Sequence, residues 1–194
     1  NPMLEAVLKL KPTHIFANAL INPQLKKRFE DAGIQFFLHP CNTMADYLFW
    51  GDLAGRELNR PDAAAAERKR IENWIAENNT RSSNGKRIIF VLWDDPLMVA
   101  GGGTLPDTAI TLAGGINTAA GEKGYLKCSR EFLLKAKPDV LVWATDRPFS
   151  RETPFLQSLN IPQVYEQFNL DPLLRPGPRF PDGVDALRAF LEGK

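Results

Sequence analysis

Three groups of residues in this 194-residue chain are of types and spacings that could do chemistry. Asp94 and Asp95 are adjacent carboxylates at the end of an apolar run. His39 and Cys41 flank a proline. Gly101-Gly102-Gly103 forms a glycine loop ahead of a helix start. Paired carboxylates can do acid–base work, but neighbours at a strand end point to opposite faces, and Asp95-Pro96 is accounted for as a turn cap. The histidine and thiol are accounted for as a strand-end ring and a small buried side chain rather than as metal ligands. The glycine loop lacks the Gly-Lys-Ser/Thr ending of a P-loop and the G-x-G-x-x-G spacing of a dinucleotide site. His14 reads as packing within a short apolar strand, and Ser129 as a helix cap. No residue needs an active site to justify it, which favours binding over turnover.

Composition sets the bounds around these groups. Hydrophobic residues make up 44% and charged residues 24%, with a net charge of +1, so neither nucleic acid nor an anionic membrane is indicated as a partner. Two cysteines and two histidines leave little room for a structural metal, and spacing alone does not pair Cys41 with Cys128. No apolar run is long enough to span a bilayer, and no signal peptide is visible in a chain that opens on Asn1-Pro2.

The elements that must position these residues follow from pattern and punctuation. Asn1-Pro2 opens a helix through Leu10, and Thr13 to Asn18 is a strand. Asn22-Pro23 caps a second helix closed by Gly33, and Ile34 to Leu38 is a second strand. Thr43 caps a long amphipathic helix through Leu58, bearing Met44, Tyr47, Leu48, Leu53 and Ala54. Pro61 separates it from a helix over Asp62 to Asn78 that buries Ala64, Ile71, Trp74 and Ile75, and Thr80 to Lys86 is a polar loop. Ile88 to Trp93 reads as a strand buried on both faces, stopped by Asp94-Asp95-Pro96. The glycine loop and a helix from Thr104 to Gly114-Gly115 follow, an order in which α/β proteins place ligands. Gly121 to Lys127 reads as loop, and Ser129 to Lys135 as a helix ended by Lys137-Pro138. Strands follow at Val140 to Thr145 and Gln163 to Tyr165, with a short helix near Pro154 to Leu159 between them. A last helix carries Val184, Leu187, Phe190 and Leu191. The expected organisation is a partial lobe over 1–42, connecting helices over 43–86, and an α/β lobe over 87–194.

Two octapeptides repeat. Glu5 to Pro12 reads EAVLKLKP and Glu131 to Pro138 reads EFLLKAKP, each leading into an apolar strand. Matching at one fixed offset is the mark of two lobes built on one plan. The first lobe, with two strands against three in the second, exposes apolar strand edges that imply marginal stability or self-association.

As a whole, Trp93, Asp95-Pro96, Gly101 to Gly103 and Ala113-Gly114-Gly115-Ile116-Asn117, with the Arg175 to Pro181 segment RPGPRFP, resemble substrate-binding proteins of cobalamin, heme and iron-siderophore ABC importers. The resemblance implies an α/β fold of two Rossmann-like lobes with parallel sheets, bridged by a long backbone helix, with the first lobe incomplete because relatives start earlier. It implies a ligand rather than a catalytic cofactor, cobalamin or an iron chelate, held in a cleft between lobes. The ligand-binding candidates are Asn18, Trp93, Met98, Gly101 and Tyr125. It further implies permease subunits as partners, docked through Glu5 and Glu131, and a periplasmic or extracytoplasmic location with attachment to the membrane ahead of Asn1. Helix-end electrostatics explain the same two glutamates without a partner. A two-lobed enzyme or metal-cluster scaffold and a non-binding interaction module are the alternatives; two cysteines are too few for a four-thiolate cluster.

Overall fold

The computed structural model describes residues 4–18, 22–145, 147–150, 160–166 and 169–194, in two units, Asn1–Cys41 and Asn42–Lys194. The expected Asn1-Pro2 cap and the expected helix near Pro154 to Leu159 lie outside the described residues.

The smaller unit runs α1 (Leu4–Lys9), β1 (His14–Ala17), α2 (Pro23–Asp31), β2 (Gln35–Leu38). Asn22 accepts from the Gln24 amide at 2.9 Å and Pro23 fills the first helical position, so α2 starts where its sequence directs. Gly33 ends it at φ 78°, a value that favours glycine. β1 and β2 pair in parallel, from His14 opposite Gln35 to Ala17 opposite Leu38. Phe29, Ile34 and Phe36 form the core with Ile15 and Ala17, while Phe16 and Phe37 stack at 5.3 Å on the other face.

The larger unit begins with α3 (Met44–Glu57) and α4 (Pro61–Asn79). A capping box starts α3: Thr43 accepts from the Asp46 amide at 3.2 Å, and Asp46 accepts from the Thr43 amide at 3.0 Å. Met44 and Leu48 of α3 and Ile71 of α4 enter this unit's core, whereas Leu58 is exposed. The Tyr47 hydroxyl donates to Glu67 at 2.8 Å, tying α3 to α4; burial, with Glu67 beside it, pushes the phenol up to about 12.

The sheet follows: β3 (Arg87–Asp94), β4 (Leu97–Ala100), α5 (Leu105–Leu112), β5 (Ile116–Asn117), β6 (Tyr125–Lys127), α6 (Arg130–Ala136), β7 (Val140–Trp143), β8 (Gln163–Tyr165), α7 (Asp171–Leu174) and α8 (Phe180–Leu191). Its order is β6-β4-β3-β7-β8, with β5 beside the start of β3; β5, β7 and β8 continue parallel pairing while β4 and β6 are antiparallel. Ile88, Phe90, Val140 and Val142 pack with α5 and α8 on one face, and Ile89, Val91, Leu141 and Trp143 with Leu133 of α6 on the other.

Five expectations need correction, the first being Cys41, read as a small buried side chain but exposed. The second lobe has six strands among its described residues, not three. Two of the extra ones, β4 and β6, are short runs whose strand character comes from pairing with a neighbour, not from any internal period. Gly121 to Lys127 therefore ends in β6 rather than remaining loop. α7 also went unpredicted, because four residues without a side-chain cap carry no periodic signal. Burial on both faces holds for Ile88 to Val91 but not for Trp93, which is 45% exposed at the strand end.

The octapeptide repeat is a repeat of structure. The offset that aligns Glu5 with Glu131 also aligns His14–Ala17 with Val140–Trp143. Lys11 and Lys137 occupy the left-handed region at φ 47° and 43°, at the same junction of helix and strand. Each following strand then pairs in parallel with the next, Gln35 opposite His14 and Gln163 opposite Val140.

Candidate functional site at the carboxyl edge of the larger sheet

Parallel strands β3, β7 and β8 end at one edge, and there a cavity of about 530 Å³ opens. Trp143, Ala144 and Thr145 line it from the end of β7, Arg147 and Pro148 from the next loop, and Glu166 from the end of β8. Asn169, Leu170, Asp171 and Leu174 close it. The loop is built by short polar contacts. The Trp143 indole nitrogen donates to the Arg147 carbonyl at 2.7 Å, the Thr145 hydroxyl donates to the same carbonyl at 2.8 Å, and the Arg147 amide donates back to Thr145 at 3.2 Å. Phe149 meets Trp143 edge to face at 5.4 Å, and its amide donates to Glu166 Oε1 at 2.7 Å.

The charge in this cavity is acidic on balance. Arg147 is its one cation among the described residues, and its guanidinium lies 3.5 Å from Asp94 at the end of β3. Glu166 and Asp171 are the carboxylates, with Arg175 3.3 Å from Asp171. Such a site suits a ligand rich in amide donors better than a polyanion.

The predicted residues divide. Trp93 pairs with Met98, Met98 with Lys127, and Ala100 with Tyr125, so Trp93, Met98 and Tyr125 share one face of the β3-β4-β6 ladder. Trp93 sits at the carboxyl edge with its indole nitrogen donating to the Asp95 carbonyl at 2.7 Å; Met98 beside it is half-buried. Tyr125 is 52% exposed and lies two residues further from that edge, its phenol raised by burial.

Gly101 is elsewhere. Because β4 runs back along β3, the glycine loop falls toward the amino-terminal half of β3, where Asn117 pairs with Ile88 and donates to the Ala100 carbonyl at 3.1 Å. The Gly101 amide donates to Gly124 at 2.8 Å, and a Cβ there would run into the Glu122 and Gly124 carbonyls. The close approach that glycine allows is made by the chain itself. Asn117, the last residue of the A-G-G-x-N motif, locks this corner: its amide also donates to Asp107 at 2.8 Å, and its carbonyl accepts from the Ala119 amide at 3.0 Å.

Asn18 is exposed just past β1 in the smaller unit. Glu5 and Glu131 are exposed second residues of α1 and α6, and the amide and Ser129 beside Glu131 hold its carboxyl below the usual range. Sequence reading missed Trp143, Thr145, Arg147, Glu166, Asn169 and Asp171. The rule that ligands sit at carboxyl ends of parallel strands reaches Trp143 to Arg147, but nothing local marks Glu166, Asn169 or Asp171.

A repeated helix–strand plan, a parallel-rich sheet and a polar cavity at its carboxyl edge define an α/β ligand-binding protein. Residues 1–176 match the periplasmic binding protein family, and the chain belongs to it. Solved structures share the fold. The periplasmic heme-binding protein RhuT from Roseiflexus sp. RS-1, in apo form, is 23% identical with a TM-score of 0.73, over 95% of this chain and 77% of that one. The periplasmic heme-binding protein HutB of Vibrio cholerae is 21% identical with a TM-score of 0.77, over 97% and 80%. The periplasmic vitamin B12-binding protein BtuF of Vibrio cholerae is 22% identical with a TM-score of 0.70, over 97% and 77%. No curated protein sequence matches the chain.

Proposed function

We propose that this protein is the solute-binding component of an ABC importer and carries a planar metal chelate, a corrinoid in first place. The carrying observation is the acidic cavity of about 530 Å³ at the carboxyl edge of the larger sheet. Its Glu166 and Asp171 accept hydrogen bonds from amides, which fringe a corrinoid, and oppose the carboxylates of heme or an anionic ferric siderophore. Trp93 and Met98, with Tyr125 further along their face, supply apolar contacts for a flat ligand, and Asn18 is the smaller unit's own polar candidate. Glu5 and Glu131, one on each copy of the repeat, meet basic residues of two permease subunits outside the cytoplasmic membrane. Among the described residues no third strand joins the β1-β2 ladder, and such edges favour self-association at high concentration.

Titration with cyanocobalamin, hemin and a ferric siderophore, followed by tryptophan quenching and visible spectra, tests this reading. Saturable one-to-one binding of cyanocobalamin, tighter than that of hemin, is expected. Tighter hemin binding would replace the corrinoid with heme, and no binding of any chelate would overturn the carrier function. Among the described residues no helix is long and apolar enough to cross a membrane.

A further inference from the structure

We propose that a second site, at the opposite end of the larger sheet from the chelate cavity, binds a small oxyanion, a phosphate or carboxylate group. It is a pocket of about 280 Å³ where the loop between α4 and β3 crosses the end of α5, lined by Arg81, Ser82, Asn84, Gly114, Arg188 and Glu192. The Asn84 amide and Ser83 hydroxyl both donate to the Gly114 carbonyl, at 2.8 and 3.0 Å, which fixes the loop there.

The pocket holds more donors than acceptors. Arg188, on α8, is only 9% exposed; it donates to Asp185 at 2.6 Å and to the Leu112 carbonyl at 2.8 Å, and its Nε is buried with no partner among the described residues. A buried guanidinium donor left unpaired is uncommon enough to call for an acceptor. The Arg81 guanidinium, the Ser82 hydroxyl and the Asn84 amide nitrogen make no hydrogen bond to a described residue. Asn84 spends its side-chain oxygen on the Lys86 amide at 3.0 Å, so its free end is the donating one.

Charge points the same way. Glu192 is the one carboxylate lining the pocket among the described residues, and Lys194 holds it at 2.6 Å. Lys194 chiefly, with Arg188 and Arg81, keeps its carboxyl below the usual range. With Asp185 on Arg188, three cations face two carboxylates, leaving one positive charge uncompensated. The carbonyl end of α5 opposes an anion, but Arg188 already covers the Leu112 carbonyl there. The Arg81 fork, a hydroxyl and an amide, with the Arg188 charge beside them, match the oxygens of a phosphate or a carboxylate. A bound oxyanion would pin the α4–β3 loop to α8.

Calorimetric titration of the full chain with sodium phosphate and with sodium acetate, at constant ionic strength, tests the site. Saturable one-to-one binding of one anion is expected, weakened at least tenfold by Arg81→Ala, an exposed loop substitution that leaves chelate binding and melting temperature without anion unchanged. Asn84→Ala should weaken it in the same direction. A rise in melting temperature equal in wild type and Arg81→Ala is the general effect of an excluded salt and would overturn the proposal, as would the absence of saturable heat with both anions.

Discussion

Replacing Asn117 by alanine should destabilise the larger unit severely while leaving chelate affinity almost untouched. Asn117 is 7% exposed and makes three hydrogen bonds: to the Ala100 carbonyl, to Asp107 Oδ1, and from the Ala119 amide. Asp107 is only half-buried and can turn to water, but Ala100 and Ala119 are buried and their backbone groups would be stranded. Two such groups cost about 1–3 kcal/mol each, so the expected loss is roughly 3 kcal/mol. That is a large share of the ~5–15 kcal/mol that holds a domain together, and at about 2–4 °C per kcal/mol it lowers the melting temperature by roughly 10 °C. Urea unfolding followed by circular dichroism measures it. Asn117→Asp keeps the acceptor for Ala119 but sets a carboxylate against Asp107, so it should be at least as damaging at pH 7 and recover as one carboxyl takes a proton in acid. A loss under about 1 kcal/mol for Asn117→Ala would refute the view that this asparagine clamps the glycine corner.

Three further outcomes are expected. Trp93→Ala, at the carboxyl edge, should weaken chelate binding by about 1–3 kcal/mol, with Tyr125→Ala below about 1 kcal/mol because it lies further along the face; titration showing the reverse order would move the ligand away from that edge. Charge reversal of both Glu5 and Glu131 to lysine should abolish uptake in cells with chelate binding intact, and unchanged uptake would leave them as helix-end charges. Asp139 accepts from the Arg87 amide at 2.8 Å and pairs with its guanidinium at 3.0 Å, which holds its carboxyl below the usual range. A depressed folded pKa gives stability that is present above the unfolded value near pH 4 and lost as pH falls through the folded one. The pair is partly exposed, so Asp139→Asn should cost under about 1 kcal/mol at pH 7, a difference that shrinks below pH 4 in urea titrations. A gap that widens in acid would contradict this.

What sequence alone determined here is what neighbours along the chain enforce. Asn22-Pro23, Thr43, Thr104 and Ser129 start the helices read from them, because a cap acts within a turn of itself. The octapeptide repeat was equally legible, and so was the buried run from Ile88, though it was read to Trp93 and holds to Val91; the left-handed lysines at matched places came from the structure. Tertiary structure decided the rest. Leu97–Ala100 and Tyr125–Lys127 are strands only because each finds a partner, and the turn at Asp95-Pro96 reverses the chain before the glycine loop. That one reversal carries Gly101 away from the carboxyl edge, where a direct strand-to-helix reading had set it. Glu166, Asn169 and Asp171 join Arg147 in one cavity only through the lateral order of β3, β7 and β8. Hydrogen bonding between strands acts across the chain, and no local pattern of side chains encodes which strand will lie beside which.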